Sequence, residues 1–177
     1  GSEMCIRDRS PTNGWGYVKV YENISGSWIQ LGQDIYGDVI GEWFGYSISI
    51  SSDGFVLAVG APSYNGYNNS SDTGYVRVFG WDGFFWNQLG QDIEGDDSKD
   101  KFGSTVSLSS DGSRIAISAP EYGISSNPNS PYYENGKVRV FEWINSSWTQ
   151  IGQDFVGIGS YVGLGHRLSL SGDGNIL

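Results

Sequence analysis

The chain repeats itself, and this internal repeat limits its possible folds more than any other feature of the sequence. Residues 16–21 read GYVKVY, and similar segments follow at 74–79 (GYVRVF) and 136–141 (GKVRVF). A second block, LGQDI at 31–35, recurs as LGQDI at 89–93 and IGQDF at 151–155. The copies therefore start 58 and 62 residues apart. Such a chain is expected to fold as similar units that pack in a row.

Each unit alternates apolar and polar residues with a period of two, which is typical of β-strands. The segment SISI at 47–50 is one example, and it is followed by the turn residues Asp53 and Gly54 and a second apolar run at 55–59. Four such segments fit into a unit of about 60 residues. The sequence therefore predicts an all-β fold built from the four-stranded antiparallel blades of a β-propeller, with about three blades per chain.

Short motifs give this pattern a family resemblance. FG at 44–45 followed by GAP at 60–62, and FG at 102–103 followed by SAP at 118–120, resemble the FG-GAP repeat of integrin-α-like propellers. The blocks WxQLGQDI and FGxSxSxSSDG resemble tandem repeats of large secreted surface proteins of bacteria and algae. The resemblance covers residues 16–177, and it implies an extracellular or cell-surface protein with an adhesion-like role.

The resemblance also assigns strands, named A to D from the FG motif onward. By this assignment residues 16–35 are a half blade (strands C and D), 44–93 and 102–155 are whole blades, and 164–177 are strand A with the start of B. The sum is nearly three blades, fewer than a closed ring needs. Either the natural protein is longer, or copies associate. We expect a homodimer that closes a six-bladed ring if the isolated chain folds.

The first ten residues are predicted to lie outside the repeat. Residues 4–9, MCIRDR, resemble the translation of a sequencing adapter, so residues 1–10 are interpreted as a scar and predicted to be disordered. A genuine disordered N-terminus is the alternative. The segment holds Met4 and Cys5, the single Met and the single Cys of the sequence. The rest of the chain therefore offers no thiol, disulfide or cysteine-based metal site.

Composition excludes some partners. The 20 acidic and 10 basic residues give a net charge of −10, which disfavours nucleic acid and anionic membrane surfaces electrostatically. Nothing in the sequence approaches the run of about 18 apolar residues that a membrane-spanning helix needs, so no membrane insertion is expected.

The difference in repeat spacing falls in one loop, between strands B and C. This loop has 11 residues at 63–73 and 15 at 121–135. In the resembling propellers it lies with the D-to-A loop on the face that meets ligands. Tyrosine and asparagine suit protein or glycan partners, although solvated turns are the simpler interpretation. The candidate ligand-binding residues are Tyr64, Asn65, Tyr67, Asn68, Tyr122, Tyr132 and Tyr133.

Calcium is the cofactor that the resemblance implies, held by a DxDxDG loop between strands A and B. This sequence has SSDG at 51–54 and 109–112, and SGDG at 171–174. One carboxylate cannot supply a calcium shell of six to eight oxygens, so these segments are interpreted as hairpin turns and no cofactor is predicted. The acidic segment 94–100 gives weak metal candidates, Asp96, Asp97 and Asp100, for which a solvated turn is the simpler interpretation.

No residue is singled out as catalytic. His166 is the single histidine and is interpreted as structural. Asp34, Asp92 and Asp154 recur in one slot, which indicates strand-end hydrogen bonds, and Trp28, Trp86 and Trp148 recur as packing between blades. We therefore expect a non-enzymatic segment that binds a protein or glycan. A polysaccharide hydrolase or lyase and a purely structural spacer are the alternatives.

Overall fold

The computed structural model describes residues 3–9, 16–62, 73–96, 100–123, 135–159 and 162–177. These ranges contain β-strands arranged in three antiparallel sheets. They contain no helix, and hence none long and apolar enough to cross a membrane.

Each sheet is built from strands that follow one another along the chain and pair with their neighbours. In sheets 1 and 2 the last two strands pair with the same neighbour, so that together they act as one interrupted outer strand. Sheet 1 holds β1 (Glu3–Arg9), β2 (Gly16–Ile24), β3 (Ser27–Gln30) and β4 (Ile35–Tyr36). Sheet 2 holds β5 (Ser47–Ile50), β6 (Val56–Ala61), β7 (Tyr75–Trp81), β8 (Trp86–Gln88) and β9 (Ile93–Glu94). Sheet 3 holds β10 (Val106–Leu108), β11 (Arg114–Ala119), β12 (Lys137–Ile144) and β13 (Ser147–Val156).

The predicted disorder of residues 1–10 is wrong for Glu3–Arg9, which form β1. This strand pairs with β2 so that Cys5 lies opposite Val20, as Ala58 lies opposite Val78 in sheet 2. β1 therefore takes the place that strand B has in the other sheets. The physical reason is the open edge of β2, whose unpaired backbone groups are a template for any extended segment.

Residues 164–177 were expected to contain strand A and the start of strand B. The turn between them is formed, because the Ser171 amide donates to the Ile176 carbonyl at 2.8 Å, as the Ser51 amide does to Val56 at 2.9 Å. No strand is assigned within 162–177, however. The sequence continues for just two residues, Ile176 and Leu177, along the path that β11 follows after the equivalent turn, and two residues are too few for a ladder.

Apolar side chains fill the space between neighbouring sheets, and equivalent positions of successive repeats fill equivalent places. The layer between sheets 1 and 2 includes Val18, Val20, Ile35, Phe44, Leu57, Phe79 and Trp86. The layer between sheets 2 and 3 includes Val76, Val78, Ile93, Phe102, Ile115, Phe141 and Trp148.

The LGQD segment of one sheet holds the recurring tryptophan of the next. The Trp86 indole Nε1 donates to the Leu31 carbonyl at 2.9 Å, and Trp148 Nε1 donates to the Leu89 carbonyl at 3.0 Å. Between sheets 1 and 2, Gln33 Nε2 donates to the Trp86 carbonyl at 2.8 Å and Gln33 Oε1 accepts from the Trp86 amide at 3.0 Å. We call this arrangement, from Leu to Gln on one sheet and Trp on the next, the clasp.

A glycine is required at the centre of each clasp. Gly32 has a φ of 77°, and a Cβ there would lie 2.5 Å from the Trp81 ring. Gly90 has a φ of 74°, and its Cβ would lie 2.7 Å from the Trp143 ring. A side chain would therefore meet both backbone strain and a steric clash.

The predicted packing of the tryptophans between blades is confirmed for Trp86 and Trp148, which are each 4% exposed. It is wrong for Trp28, which is 42% exposed. The difference has a simple cause, since no LGQD segment precedes the face of sheet 1 that carries Trp28 in the described chain.

Replacing Trp86 or Trp148 by Phe should remove the indole donor and leave a partly buried carbonyl unpaired. We expect a loss of about 1 kcal/mol of unfolding free energy beyond the effect of the smaller ring, because that is the usual value of such a hydrogen bond. Trp81→Phe and Trp143→Phe are the matched controls, since these rings pack in the same layers without the bond to the Leu carbonyl. Urea unfolding measures the difference. Equal losses in all four variants would contradict the role of the bond.

Candidate functional site

The connections between strands separate into two ends of the stack. The turns β5–β6 and β7–β8 lie together, since the Trp81 amide donates to the Phe55 carbonyl at 2.9 Å. The B-to-C and D-to-A connections meet at the other end, where the Phe102 amide donates to Thr73 at 3.2 Å and the Gly95 amide to Gly74 at 3.0 Å. We call this second end the loop face, formed by residues 37–46, 73–77, 94–96, 100–104, 120–123 and 135–139.

A first charged cluster lies on the loop face where sheet 1 meets sheet 2. Arg77 makes a bidentate pair with Asp92, at 2.8 Å from Nε and 2.9 Å from Nη2. Its Nη2 also donates to Asp38, in the connection that follows sheet 1. The hydrogen bond from Arg77 lowers the pKa of Asp38. Burial opposes the charge on Arg77, but the hydrogen bonds that Arg77 donates to Asp92 and Asp38 outweigh this effect and raise the pKa of Arg77.

Next to this cluster lies a buried acid, Glu42, whose exposed fraction is zero. Its carboxyl group lies next to the hydroxyl of Tyr75, which is 1% exposed. Burial raises the pKa of Glu42 above its ordinary value of 4.5, and the nearby Tyr75 hydroxyl reduces that shift in part. The Tyr75 ring in turn lies 4.9 Å below the Arg77 guanidinium, a cation–π geometry.

The second charged cluster repeats the first between sheets 2 and 3. Arg139 donates to Asp154 at 3.1 Å from Nε, and its Nη2 pairs with Asp96 in the connection that follows sheet 2. Lys137 replaces Tyr75 here. Its side chain is 2% exposed, its Nζ lies 3.3 Å from Asp96, and the same atom lies 3.9 Å from the centre of the Tyr122 ring.

These contacts bear on the metal candidates that the structure describes. Asp96 is an ion-pair partner of Lys137 and Arg139, which disfavours a role as metal ligand, and its assignment as a metal candidate stays a prediction. Asp100 is 3% exposed and its carbonyl accepts from the Glu121 amide at 3.2 Å, so it is no solvated turn residue. Asp97 lies outside the described residues. In the described ranges no group of three or more His, Cys, Asp or Glu side chains could hold a metal ion.

The recurring aspartates have the strand-end role that their recurrence predicted. Gln30 donates to Asp34 at 2.7 Å, Gln88 to Asp92 at 2.8 Å and Gln150 to Asp154 at 2.7 Å. Each aspartate also pairs with the basic residue of the neighbouring strand, namely Lys19, Arg77 or Arg139. These three carboxylates hold equivalent positions and form equivalent ion pairs, so their role is structural.

The SSDG segments are confirmed as hairpin turns. In each, the serine hydroxyl donates to the aspartate: Ser51 to Asp53 at 2.6 Å, and Ser109 to Asp111 at 2.6 Å. The Phe55 amide also donates to Asp53 at 3.0 Å. The hydrogen bond from Ser109, together with those from Ser113, lowers the pKa of Asp111 to about 2.

Most of the candidate ligand-binding residues fall in loops that the structure does not describe: Tyr64, Asn65, Tyr67, Asn68, Tyr132 and Tyr133. Tyr122 is described. It is half-buried, packs against the layer between sheets 2 and 3, and carries Lys137 over its ring. His166 is exposed, as is the equivalent Tyr46, and its carbonyl accepts from the Thr105 hydroxyl at 3.3 Å.

The cations of the loop face were not predicted from the sequence. Lys19, Arg77 and Arg139 recur at one position of the VxV motif, and this recurrence, paired with that of Asp34, Asp92 and Asp154, was a usable signal. Glu42 and Lys137 were missed for a different reason. Charged side chains next to glycine-rich turns read as solvated, and the burial of these two depends on contacts with residues distant in the sequence: Tyr75 for Glu42, and Asp96 and Tyr122 for Lys137.

Comparison with known proteins supports the fold class but identifies no family. No family model matches the chain, and no curated protein matches it. Among solved structures, a Bacteroides fragilis protein named as a 6-phosphogluconolactonase is 14% identical with a TM-score of 0.50, over 88% of this chain and 39% of that one. A Sulfolobus tokodaii protein named as selenium-binding is 12% identical with a TM-score of 0.47, over 88% and 39%. Kuenenia stuttgartiensis hydrazine synthase is 14% identical with a TM-score of 0.47, over 85% and 42%. The chain thus spans about two fifths of the length of these structures.

The stacked antiparallel sheets and this likeness define the class of the protein: it has an all-β, β-propeller-like fold. The predicted fold class is confirmed. The FG-GAP resemblance and the count of about three blades stay predictions.

Glu42→Gln should make stability less dependent on pH. A raised pKa means that the folded state holds the proton more tightly than the unfolded state. The stabilising contribution of Glu42 to the free energy of unfolding is therefore fully present below pH 4.5, and it is lost as the pH rises through the raised pKa of the folded state. We expect Glu42→Gln to gain in melting temperature relative to the unchanged chain between pH 4 and pH 8.

Asp111→Asn is a control that should change the pH dependence of stability in the opposite direction. The lowered pKa of Asp111 stabilises the fold above pH 4, and this contribution is lost as the pH falls towards 2. Identical pH profiles for Glu42→Gln and the unchanged chain would contradict the buried carboxyl.

Asp96→Asn should cost about 1–2 kcal/mol of unfolding free energy, because it leaves the buried Lys137 ammonium without a carboxylate while Asp96 itself is half exposed. Millimolar calcium should leave the melting temperature of both proteins unchanged. A calcium-dependent rise that disappears in Asp96→Asn would instead identify Asp96 as a ligand.

Proposed function

We propose that this chain is a segment of an extracellular or cell-surface β-propeller that binds a protein or glycan through the loops of the loop face, without catalysing a reaction. One observation carries the proposal. The polar residues that recur in each repeat are engaged in the framework, while the difference in length between repeats falls in the B-to-C loops. Variable loops on a constant scaffold are the usual location of binding residues.

The ion pairs support this role because they fix the bases of the loops. Asp38 and Asp96 lie in D-to-A connections, and Arg77 and Arg139 lie near the start of the strands that follow the B-to-C loops. Each pair therefore ties two loops of the loop face together. A loop with fixed ends loses less conformational entropy when its tip is ordered by a ligand.

The tips have a composition suited to recognition. Residues 63–72 read SYNGYNNSSD and residues 124–134 read ISSNPNSPYYE. Tyrosine combines a rigid apolar ring with one polar atom, and asparagine adds amide donors and acceptors. Sugars and polar protein surfaces present the matching chemistry.

The main rival is an enzyme. A protein named as a lactonase shares the fold at 14% identity, but a fold of this kind supports many functions. The recurring carboxylates Asp34, Asp92 and Asp154 are paired with cations, which disfavours them as the free acid and base that a polysaccharide hydrolase or lyase requires. A structural spacer is the third possibility, and it predicts no ligand.

Binding of the chain to glycan and surface-protein arrays tests the proposal. Tyr64→Ala with Tyr67→Ala, or Tyr132→Ala with Tyr133→Ala, should weaken binding at least tenfold, because tyrosines at the centre of an interface contribute most of its affinity. Phe84→Ala with Phe85→Ala is the matched control. These aromatics are 77% and 59% exposed but lie at the opposite end of sheet 2.

Ligand binding that both tyrosine variants leave unchanged would contradict the proposal. So would turnover of a polysaccharide or lactone that a single Asp or Glu substitution abolishes, which would establish the enzyme. A chain that neither binds a ligand nor turns over a substrate in these assays would favour the structural spacer.

A further inference from the structure

The two ends of the stack of sheets are uncovered in the described chain. At one end, Phe155 of sheet 3 is 41% exposed, whereas Ile35 and Ile93, which hold the same position in sheets 1 and 2, are 5% and 4% exposed. Two adjoining grooves of about 260 and 440 Å³ open on this face, and Phe155 and Leu177 line both. At the other end, Trp28 of sheet 1 is 42% exposed.

These ends are the two halves of the clasp that joins the sheets inside the chain. Sheet 3 supplies the carbonyl side, with Ile151, Gly152 and Gln153 in the places of Leu31, Gly32 and Gln33. Gly152 keeps the conformation of its equivalents, with a φ of 72°. A Cβ on Gly152 would meet no atom within 4 Å, whereas on Gly32 it would strike an indole ring. The socket for a tryptophan is therefore formed and open.

The inner strand position gives a second, independent match. The Leu108 amide of β10 donates to the Ser49 hydroxyl of β5 at 3.0 Å, and the Leu170 amide donates to the Ser107 hydroxyl of β10 at 3.0 Å. Residues 168–172 thus continue the row of inner strands beyond sheet 3. In the described chain, the strands of sheet 1 hold positions B, C and D, and no strand holds the inner position A.

We propose that a second copy of this chain docks head to tail on sheet 3. The sheet 1 face of one copy covers the β13 face of the other, the Trp28 indole donates to the Ile151 carbonyl, and Gln153 bonds the Trp28 backbone. Residues 168–172 supply the inner strand that sheet 1 lacks, and Ile176 and Leu177 displace Glu3 and Met4, which hold the equivalent places at the start of β1. Two such joints, related by a twofold axis, close two copies into a ring of six sheets.

The occupant is a second copy because the chain itself carries both halves of a joint that it makes twice internally. Among the positions where the joint between copies differs from the internal joints, two bear directly on its strength. Asn23 stands opposite Trp28, where Trp81 and Trp143 stand opposite Trp86 and Trp148. Ile158, 96% exposed, holds the position of Asp38 and Asp96, so the ion pair across the joint is absent. The joint between copies is therefore weaker than the internal ones.

These two differences allow tests by gain of function. Sedimentation equilibrium of the full chain at 1–100 μM should give the mass of two chains at the upper end. Asn23→Trp should lower the dissociation constant by about two- to tenfold at each joint, because the new ring would pack on Gly152 of the other copy as Trp81 packs on Gly32. Ile158→Asp, placed to meet Lys19, should lower it further, and high salt should reverse that gain.

Loss of function comes from Trp28→Ala and from Gln153→Ala, each of which should shift the chain towards the mass of one copy. Phe84→Ala, an exposed aromatic away from the joint, is the control and should leave the mass unchanged. Circular dichroism verifies that each variant is folded. Because the joint is head to tail, a mixture of Trp28→Ala and Gln153→Ala chains retains one intact joint per pair, and it should associate more strongly than either variant alone.

A mass of one chain throughout the range, for both the unchanged protein and Asn23→Trp, would overturn the proposal. Dimers that Trp28→Ala and Gln153→Ala leave as stable as the unchanged chain would overturn it too, because they would use another surface. The proposal is independent of the ligand-binding function, since neither Trp28 nor Gln153 lies in the B-to-C loops.

Discussion

The structure depends on one hydrogen bond that recurs between sheets, from the indole of a tryptophan to a main-chain carbonyl of the preceding sheet. The bond forms at Trp86 and Trp148, and each time a glycine beneath the indoles gives them room. Apolar packing alone is nondirectional and would let two sheets slide. A buried donor with one acceptor fixes the distance and angle between them, and the paired glutamine adds two more bonds at the same place. The stack is thus a row of identical joints, and its two ends are halves of the same joint.

The fixed angle between sheets has a consequence for the loop face. Asp38 and Asp96 leave one sheet and meet Arg77 and Arg139 on the next, so these ion pairs form only if neighbouring sheets are held in register by the clasp. The charged clusters then hold the bases of the loops, whose tips differ between repeats. This separation of a constant framework from variable tips supports the proposed binding function.

The sequence was sufficient to predict the features that recur in each repeat. Recurrence with period-2 alternation predicted the antiparallel strands, Asp53 and Asp111 were recognised as turn residues, and Trp86 and Trp148 as packing between units. The failures concern contacts across the boundary between units. The ion pairs of Asp96 were not predicted because its partners Lys137 and Arg139 lie 41 and 43 residues away. Glu42 is buried between Gly37 of its own connection and Tyr75 of the neighbouring sheet. Residues 3–9 become a strand because β2 offers an open edge, a property of the fold and not of that segment.

The most direct test of the account is hydrogen exchange of the tryptophan indoles, followed by NMR on the folded chain. The account predicts that the indole protons of Trp86 and Trp148 exchange much more slowly than those of Trp81 and Trp143, which pack in the same layers without the bond to a Leu carbonyl. Comparable protection of all four would show that burial alone holds the sheets. Fast exchange at Trp86 and Trp148 would contradict the clasp itself.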